Sequence, residues 1–269
     1  MYEAYWNLSQ RPFDDGAAPG FYYPSPTHQA SLLKLRYLIE QNKGIGLLVG
    51  DHGLGKSFLM HVLQRECQSE NYEPFVRLVV PALNARETLA YLANRLGANI
   101  KGSDSSDEVL LALEAKLKEL AAQKQHPVFI IDDAHLLDVE QLNLIRLFLN
   151  LHEDGAGRFS VILAGRVDLL AKVKRLKSLD QRVSVRMALQ PLSESQVENY
   201  ISHRMETAGA TQLFDARASQ SIWELSQGIP RRINQICDLS LLVGYVDQLR
   251  TITPLEIETA ADEILCVKE

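Results

Sequence analysis

The chain has 269 residues, 46% hydrophobic and 23% charged, with a formal net charge of −6 at neutral pH. That length supports one large domain or two modest ones, and the composition is that of an ordinary globular protein. The acidic balance argues against a surface that grips nucleic acid everywhere, though it leaves room for a local basic face, and no apolar run approaches the roughly 20 residues needed to span a bilayer.

The first residues, Met1 to Trp6, lack the basic and apolar regions of a signal peptide. The next thirty carry Pro12, Phe13, Phe21, Tyr22, Tyr23, Pro24 and Pro26, too aromatic for a disordered tail. Residues 1–43 are therefore expected to be an ordered extension packed on the core. Thr27 is placed to cap a helix carrying Leu32, Leu33, Leu35, Leu38 and Ile39, with Gly44 ending it. Ile45 to Val49 reads as a buried strand, and Phe75 to Val80 as a second. Helical patterns follow around Glu87 to Leu96 and Ser106 to Lys124. Pro127 to Ile131 is continuously apolar, as in a strand covered on both faces. A helix is expected from Val139 to Leu151, then strands over Phe159 to Ala164 and Val183 to Leu189. Alternating strands and helices imply an α/β fold with a parallel sheet covered on both faces, here residues 44–190. From 191 to 269 the pattern is helical only: Ser193 to Ala208, Asp215 to Ser226, Pro230 to Tyr245 and Pro254 to Leu265. Cys67, Cys237 and Cys266 are odd in number and widely spaced, as idle thiols in a reducing cytoplasm would be.

Gly50-Asp51-His52-Gly53-Leu54-Gly55-Lys56-Ser57 spells the Walker A pattern G-x-x-x-x-G-K-S between a strand and a helix, the setting that gives the motif its meaning. Glycines let backbone N–H groups curl around phosphate oxygens, and the helix N-terminus adds a favourable dipole. Residues 50 to 58, ending at Phe58, are the expected phosphate cradle, with Lys56 reaching the β- and γ-phosphates and the Ser57 hydroxyl on Mg²⁺. Asp132 and Asp133 close the third strand as a Walker B pair, the first acid for Mg²⁺ and the second for the attacking water. Asp133 is one methylene shorter than the Glu often found there, which points to slower hydrolysis.

Several further residues carry two readings each. His135 either hydrogen-bonds near the γ-phosphate or caps the next helix. Arg166 senses the γ-phosphate or simply faces solvent. The basic run Lys172 to Lys177 is a solvated helix face, or a contact for another subunit or DNA. Arg182 is an arginine finger for a neighbouring subunit or a salt-bridge partner. Gly228-Ile229-Pro230-Arg231-Arg232 opens a helix with proline at its first position. Arg231 there is expected to reach back to the phosphates and tie lid position to nucleotide state, with Arg232 outward; an ordinary surface pair is the alternative.

Together these segments resemble the AAA+ ATPases of the general secretion pathway protein A (ExeA-type) group over nearly the whole chain. The resemblance is carried by Tyr5 to Leu8, Arg11 to Phe13, Phe21 to Tyr23, the P-loop, Ile130 to His135, Gln181 to Val183, Pro191 to Ser193 and Gly228 to Arg231. It implies a five-stranded parallel sheet in the order 5-1-4-3-2, a C-terminal helical lid, ATP and Mg²⁺, and oligomers in which Arg182 completes a neighbour's site. Asp133 and Arg166 depart from the Glu and the polar residue, often Gln, usual in the group. Secretion members also carry a membrane segment and a wall-binding region after the ATPase, and neither is seen up to Glu269. The same core is similar to transposition ATPases of the TniB/TnsC type, which assemble on DNA. The expected activity is ATP hydrolysis with Lys56, Asp133, Arg182 and Arg231 as the catalytic set and Ser57 and Asp132 as metal ligands, in a cytoplasmic, ATP-dependent homo-oligomer with an unidentified protein client. A small-molecule kinase is the competing enzyme, disfavoured by the Gly-Ile-Pro-Arg helix start; an ATP-gated, DNA-assembling switch is the non-enzymatic alternative.

Overall fold

A computed structural model describes residues 1–14, 16, 19–67, 72–79, 83–153, 157–210 and 212–266. Contacts divide the chain into two compact units: a sheet unit of Thr27–His52 and Lys56–Leu189, and a helical unit of Met1–Pro26, Gly53–Gly55 and Gln190–Glu269.

In the sheet unit, five strands are separated by helices: α1 (Pro26–Glu40), β1 (Ile45–Val49), α2 (Lys56–Cys67), β2 (Phe75–Leu78), α3 (Ala85–Arg95), α4 (Ser106–Ala122) and β3 (Val128–Ile131), then α5 (Val139–Phe148), α6 (Asn150–Glu153), β4 (Ser160–Gly165), α7 (Asp168–Arg175), α8 (Lys177–Asp180) and β5 (Val183–Ala188). The strands pair in parallel in the order β2-β3-β4-β1-β5, which is the 5-1-4-3-2 order read from the other edge. Every residue of β1, β3 and β4 is buried, whereas edge strands β2 and β5 alternate. That is the pattern of a sheet whose centre is covered on both faces. At its centre Phe129 packs edge-on against Phe148 and Phe159, with ring centroids 5.0 and 5.8 Å away.

Helix starts follow local chemistry. Asn84 with Glu87, Ser105 with Glu108 and Asp138 with Gln141 form capping boxes for α3, α4 and α5. Helix α1 begins at Pro26, so Thr27 lies inside its first turn and is not its cap. Strand β2 ends at Leu78, and Val80 lies outside the described residues. The single helix expected over Val139 to Leu151 is split into α5 and α6.

The helical unit holds α9 (Glu194–Thr207), α10 (Ala218–Ser226), α11 (Pro230–Val246) and α12 (Pro254–Cys266). Its core includes Tyr2, Trp6, Phe13 and Phe21 together with Val197, Ile201, Ile222, Ile233 and Leu241. The N-terminal aromatics thus pack with the C-terminal helices, whereas the sequence pattern pointed to the α/β core. Specific bonds fix them there. Trp6 Nε1 donates to Leu241 O at 3.0 Å, and Ser9 Oγ to Ala208 O at 2.9 Å. The Arg204 guanidinium, 3% exposed, donates to Asn234 Oδ1 at 2.6 Å and lies 5.1 Å from the centroid of the Phe21 ring. Gly228 has φ +69°, and a Cβ there would fall 2.0 Å from Leu192 O. Only glycine fits this turn, which explains its place ahead of Pro230.

Cys67 and Cys237 are buried and form no disulfide; the side chain of Cys266 lies outside the described residues. No described helix is long and apolar enough to cross a membrane. Truncating Phe129 to alanine is expected to destabilise the protein by about 3–5 kcal/mol, because a buried ring leaves a cavity that its neighbours fill only in part. Urea unfolding of the variant checks this, and a loss below about 1 kcal/mol would show a core that repacks freely.

Candidate nucleotide site

In an open parallel sheet, ligands bind beyond the carboxyl ends of the strands. The loop after β1 leads into α2, β3 ends in Asp132, and β4 lies between them. Gly50 N donates to Gly165 O at 3.2 Å, so the loop leaves β1 fastened to the end of β4. Lys56, 8% exposed, turns its Nζ back to Gly50 O at 2.6 Å and Asp51 O at 2.8 Å. Both acceptors are neutral carbonyls, and an ammonium has three donors. Burial pushes the Lys56 amine below its ordinary value, against the opposing pull of Asp132, Asp133 and Asp51. A buried cation bonded to neutral groups at a helix N-terminus suits an incoming anion.

Ser57 Oγ donates to Asp132 Oδ2 at 2.7 Å. A hydroxyl and a carboxylate side by side are hard oxygen ligands, the kind that Mg²⁺ takes in small number alongside substrate phosphates and water. These residues fit that ion. Asp132 is 5% exposed and also accepts from Asp133 N at 3.1 Å and from Arg77 Nη2.

The motifs in the sequence do not mark Arg77 as a site residue, yet the fold brings it to Asp132. Its Nη2 forms an ion pair with Asp132, and its Nη1 meets His61 Nε2 on α2. The pleat gives the reason. Arg77 is in register with Ile130, and Asp132, two residues further along, lies on the same face. An arginine alternating within Phe75-Val76-Arg77-Leu78 beside an acid-ended strand was the signal that could have found it. Burial and the Arg77 charge both push His61 down, favouring the neutral ring that accepts from arginine.

Asp133 stands in the left-handed region at φ 47°, ψ 34°, and its carboxyl is 47% exposed. His135 is buried, its Nδ1 has no hydrogen-bond partner, and Asp133 Oδ1 lies 3.8 Å away. It does not cap the next helix, because Asp138 does. The His52 and His135 rings meet edge-on at 6.3 Å.

Lys172 is not part of a solvated face. Its Nζ donates to His135 O and to Leu137 O, the latter at 3.2 Å, pinning the turn after Asp133. Lys174, Arg175 and Lys177 are exposed, as is Arg166. Arg182 follows α8, is half-buried and donates to Arg146 O at 3.5 Å. In the helical unit, Arg231 N donates to Gly53 O at 3.2 Å, and the Arg231 side chain is exposed. A Cβ on Gly53, whose φ is +79°, would fall 2.9 Å from Ile229 and Arg231 side-chain atoms. Leu54 is buried and Phe58 half-buried.

A family model described as "AAA domain" matches residues 39–173, half of the chain. The chain belongs to this family of nucleotide-binding ATPase domains. It is 31% identical over its whole length to general secretion pathway protein A of Aeromonas hydrophila, and spans 49% of that relative. Two solved structures show the same fold. The Cdc6p structure from Pyrobaculum aerophilum is 18% identical with a TM-score of 0.78, covering 94% of this chain and 70% of its own. The ORC2 protein of Aeropyrum pernix, solved as ADPNP-ADP complexes, is 15% identical with a TM-score of 0.72, covering 95% and 72%.

Burial alone would raise the Asp132 carboxyl, but the hydrogen bonds from Arg77 and Ser57 and the Arg77 charge outweigh it and hold it below the usual carboxylate range. A carboxyl depressed in the folded state contributes stability that is fully present above its unfolded value of about 3.9 and is lost as pH falls through the folded value. Asp132→Asn is therefore expected to flatten the acid side of the stability profile. Melting temperatures from pH 5 down to pH 3 in metal-free buffer check this; parallel profiles for the two proteins would contradict it.

Proposed function

We propose that this chain hydrolyses ATP with Mg²⁺ and uses nucleotide state to move a helical lid and an oligomer interface. The observation that carries this reading is the 2.7 Å bond from Ser57 Oγ to Asp132 Oδ2 beside the buried Lys56. Family membership supports nucleotide binding.

In this reading the amides of residues 51–57 and the Lys56 ammonium bind the phosphates, with Gly50 shaping the turn and Phe58 continuing α2. Lys56 exchanges carbonyl partners for phosphate oxygens as ATP enters. Ser57 and Asp132 would hold the metal, which would supply positive charge to offset the negative charge developing on the phosphates. Asp133 orients the attacking water and takes its proton. Its half-exposed carboxyl and shorter arm hold that water less firmly than Glu does, so turnover is slow. Residues 191–269 form the lid, 44–190 the ATPase core and 1–43 the extension. Arg231 senses nucleotide from its helix start beside Gly53, and Arg182 acts across a subunit interface. A reducing cytoplasm suits the buried thiols Cys67 and Cys237, which form no disulfide.

A second reading, an ATP-gated module that assembles on DNA, draws on the exposed Lys174, Arg175 and Lys177. DNA affinity that rises with ATP and falls linearly with the logarithm of salt would favour it; no binding at low salt removes it.

Lys56→Ala is expected to weaken ATP binding at least about a hundredfold, since it deletes the charge-assisted bonds to the phosphates. Asp133→Asn should keep ATP affinity and lower kcat by about 10²-fold or more, the usual contribution of a positioned base. Calorimetry and phosphate release measure the two, and an Asp133→Asn enzyme with unchanged kcat would remove that residue from the chemistry. Mixing Arg182→Ala protein with Lys56→Ala protein is expected to restore part of the activity each lacks alone if the arginine acts in trans. A strict monomer by light scattering with and without ATP, still hydrolysing ATP, defeats that role.

A further inference from the structure

Arg77 is a strongly placed side chain at the site that the proposed chemistry does not use. It sits on edge strand β2, and its side chain is 23% exposed. Its Nη2 converges on Asp132 Oδ2, the same oxygen that accepts from Ser57 Oγ, while Oδ1 accepts from Asp133 N. The carboxylate that should attract a divalent cation is thus already neutralised by an internal one. The other partner of the guanidinium, His61, faces Arg77 Nη1 through Nε2, and Arg77 Nε is buried without a hydrogen-bond partner. Among the described residues, Asp132 is the only carboxylate that forms an ion pair with Arg77. Tyr91 Oη donates to Arg77 O at 3.0 Å and anchors the backbone rather than the side chain. A guanidinium never loses its charge in a protein. Its repulsion of a divalent ion held on Asp132 is screened less than between two exposed charges, because Asp132 is buried and Arg77 only partly exposed.

We infer that Arg77 competes with the divalent cation for Asp132, acting as a positioning residue that sets how tightly the site takes its metal. This rests on the nucleotide-site reading above. Until phosphate oxygens add their own negative charge, Arg77 and Ser57 hold Asp132 and the metal binds weakly. Once they do, the cation outcompetes the guanidinium, which retains His61 as a partner. Metal capture then depends on nucleotide arriving first.

The test uses the full chain and Mn²⁺ as the probe, read by the loss of its free electron paramagnetic resonance signal, in protein without nucleotide and with ADP. Arg77→Met is expected to tighten Mn²⁺ binding without nucleotide by about tenfold or more, and to shrink the gain in Mn²⁺ affinity that ADP produces. Arg77→Lys keeps the charge, so it should stay close to the parent protein; a role in packing or geometry alone would not be rescued this way. Arg77→Gln gives the same reading if the Met variant does not fold, with circular dichroism confirming the fold. Mn²⁺ affinity unchanged or weakened in the neutral variants, while ADP still binds, overturns the inference and leaves the nucleotide site standing. If the parent protein binds neither ADP nor ATP, the nucleotide-site reading fails and the inference falls with it.

Discussion

The bond between Ser57 and Asp132 depends on almost everything else in the sheet unit. The two residues come from different segments, Ser57 from the first turn of α2 and Asp132 from the end of β3. They meet because β4 is hydrogen-bonded between β1 and β3, which sets the two strand ends a fixed distance apart. Burial of all residues in these three strands holds that spacing. The carboxylate is itself buried, so leaving it without Ser57 and Arg77 would cost several kcal/mol. The fold thus commits a charged group to one position and supplies its partners in place.

The proposed catalytic set is uneven in how firmly it is held. Lys56 and Asp132 are buried and held by short bonds, and the exposed Ser57 is tied to Asp132. Asp133 has a half-exposed carboxyl on a left-handed backbone, a conformation a non-glycine residue keeps only when its neighbours enforce it. Lys172 is one such neighbour, bonding the carbonyls of His135 and Leu137. The proposed binding groups therefore have more bonding partners than the carboxyl proposed for the water.

Much of this was legible in the sequence, for identifiable reasons. A fully buried strand such as Phe129-Ile130-Ile131 announces itself by continuous apolar character, and the P-loop by its glycines. Where the reading went astray, the cause was tertiary. The aromatics Trp6 and Phe21 were rightly marked for burial, but composition carries no address, and they lie in the core of the C-terminal helices. Lys172 looks like a surface lysine in a basic run until its carbonyl partners are known. The arginine alternating within Phe75-Val76-Arg77-Leu78 is a hint, but only the register of β2 against β3 brings Arg77 to Asp132.

The central claim is that Asp132 and Ser57 recruit the metal that strengthens ATP binding. Calorimetry of ATP binding with Mg²⁺ and with EDTA, in the parent protein and in Asp132→Ala, tests it most directly. The account predicts that Mg²⁺ tightens ATP binding in the parent and adds little in the variant, with the metal-free affinities comparable. An Asp132→Ala protein that keeps the full Mg²⁺ enhancement would contradict it.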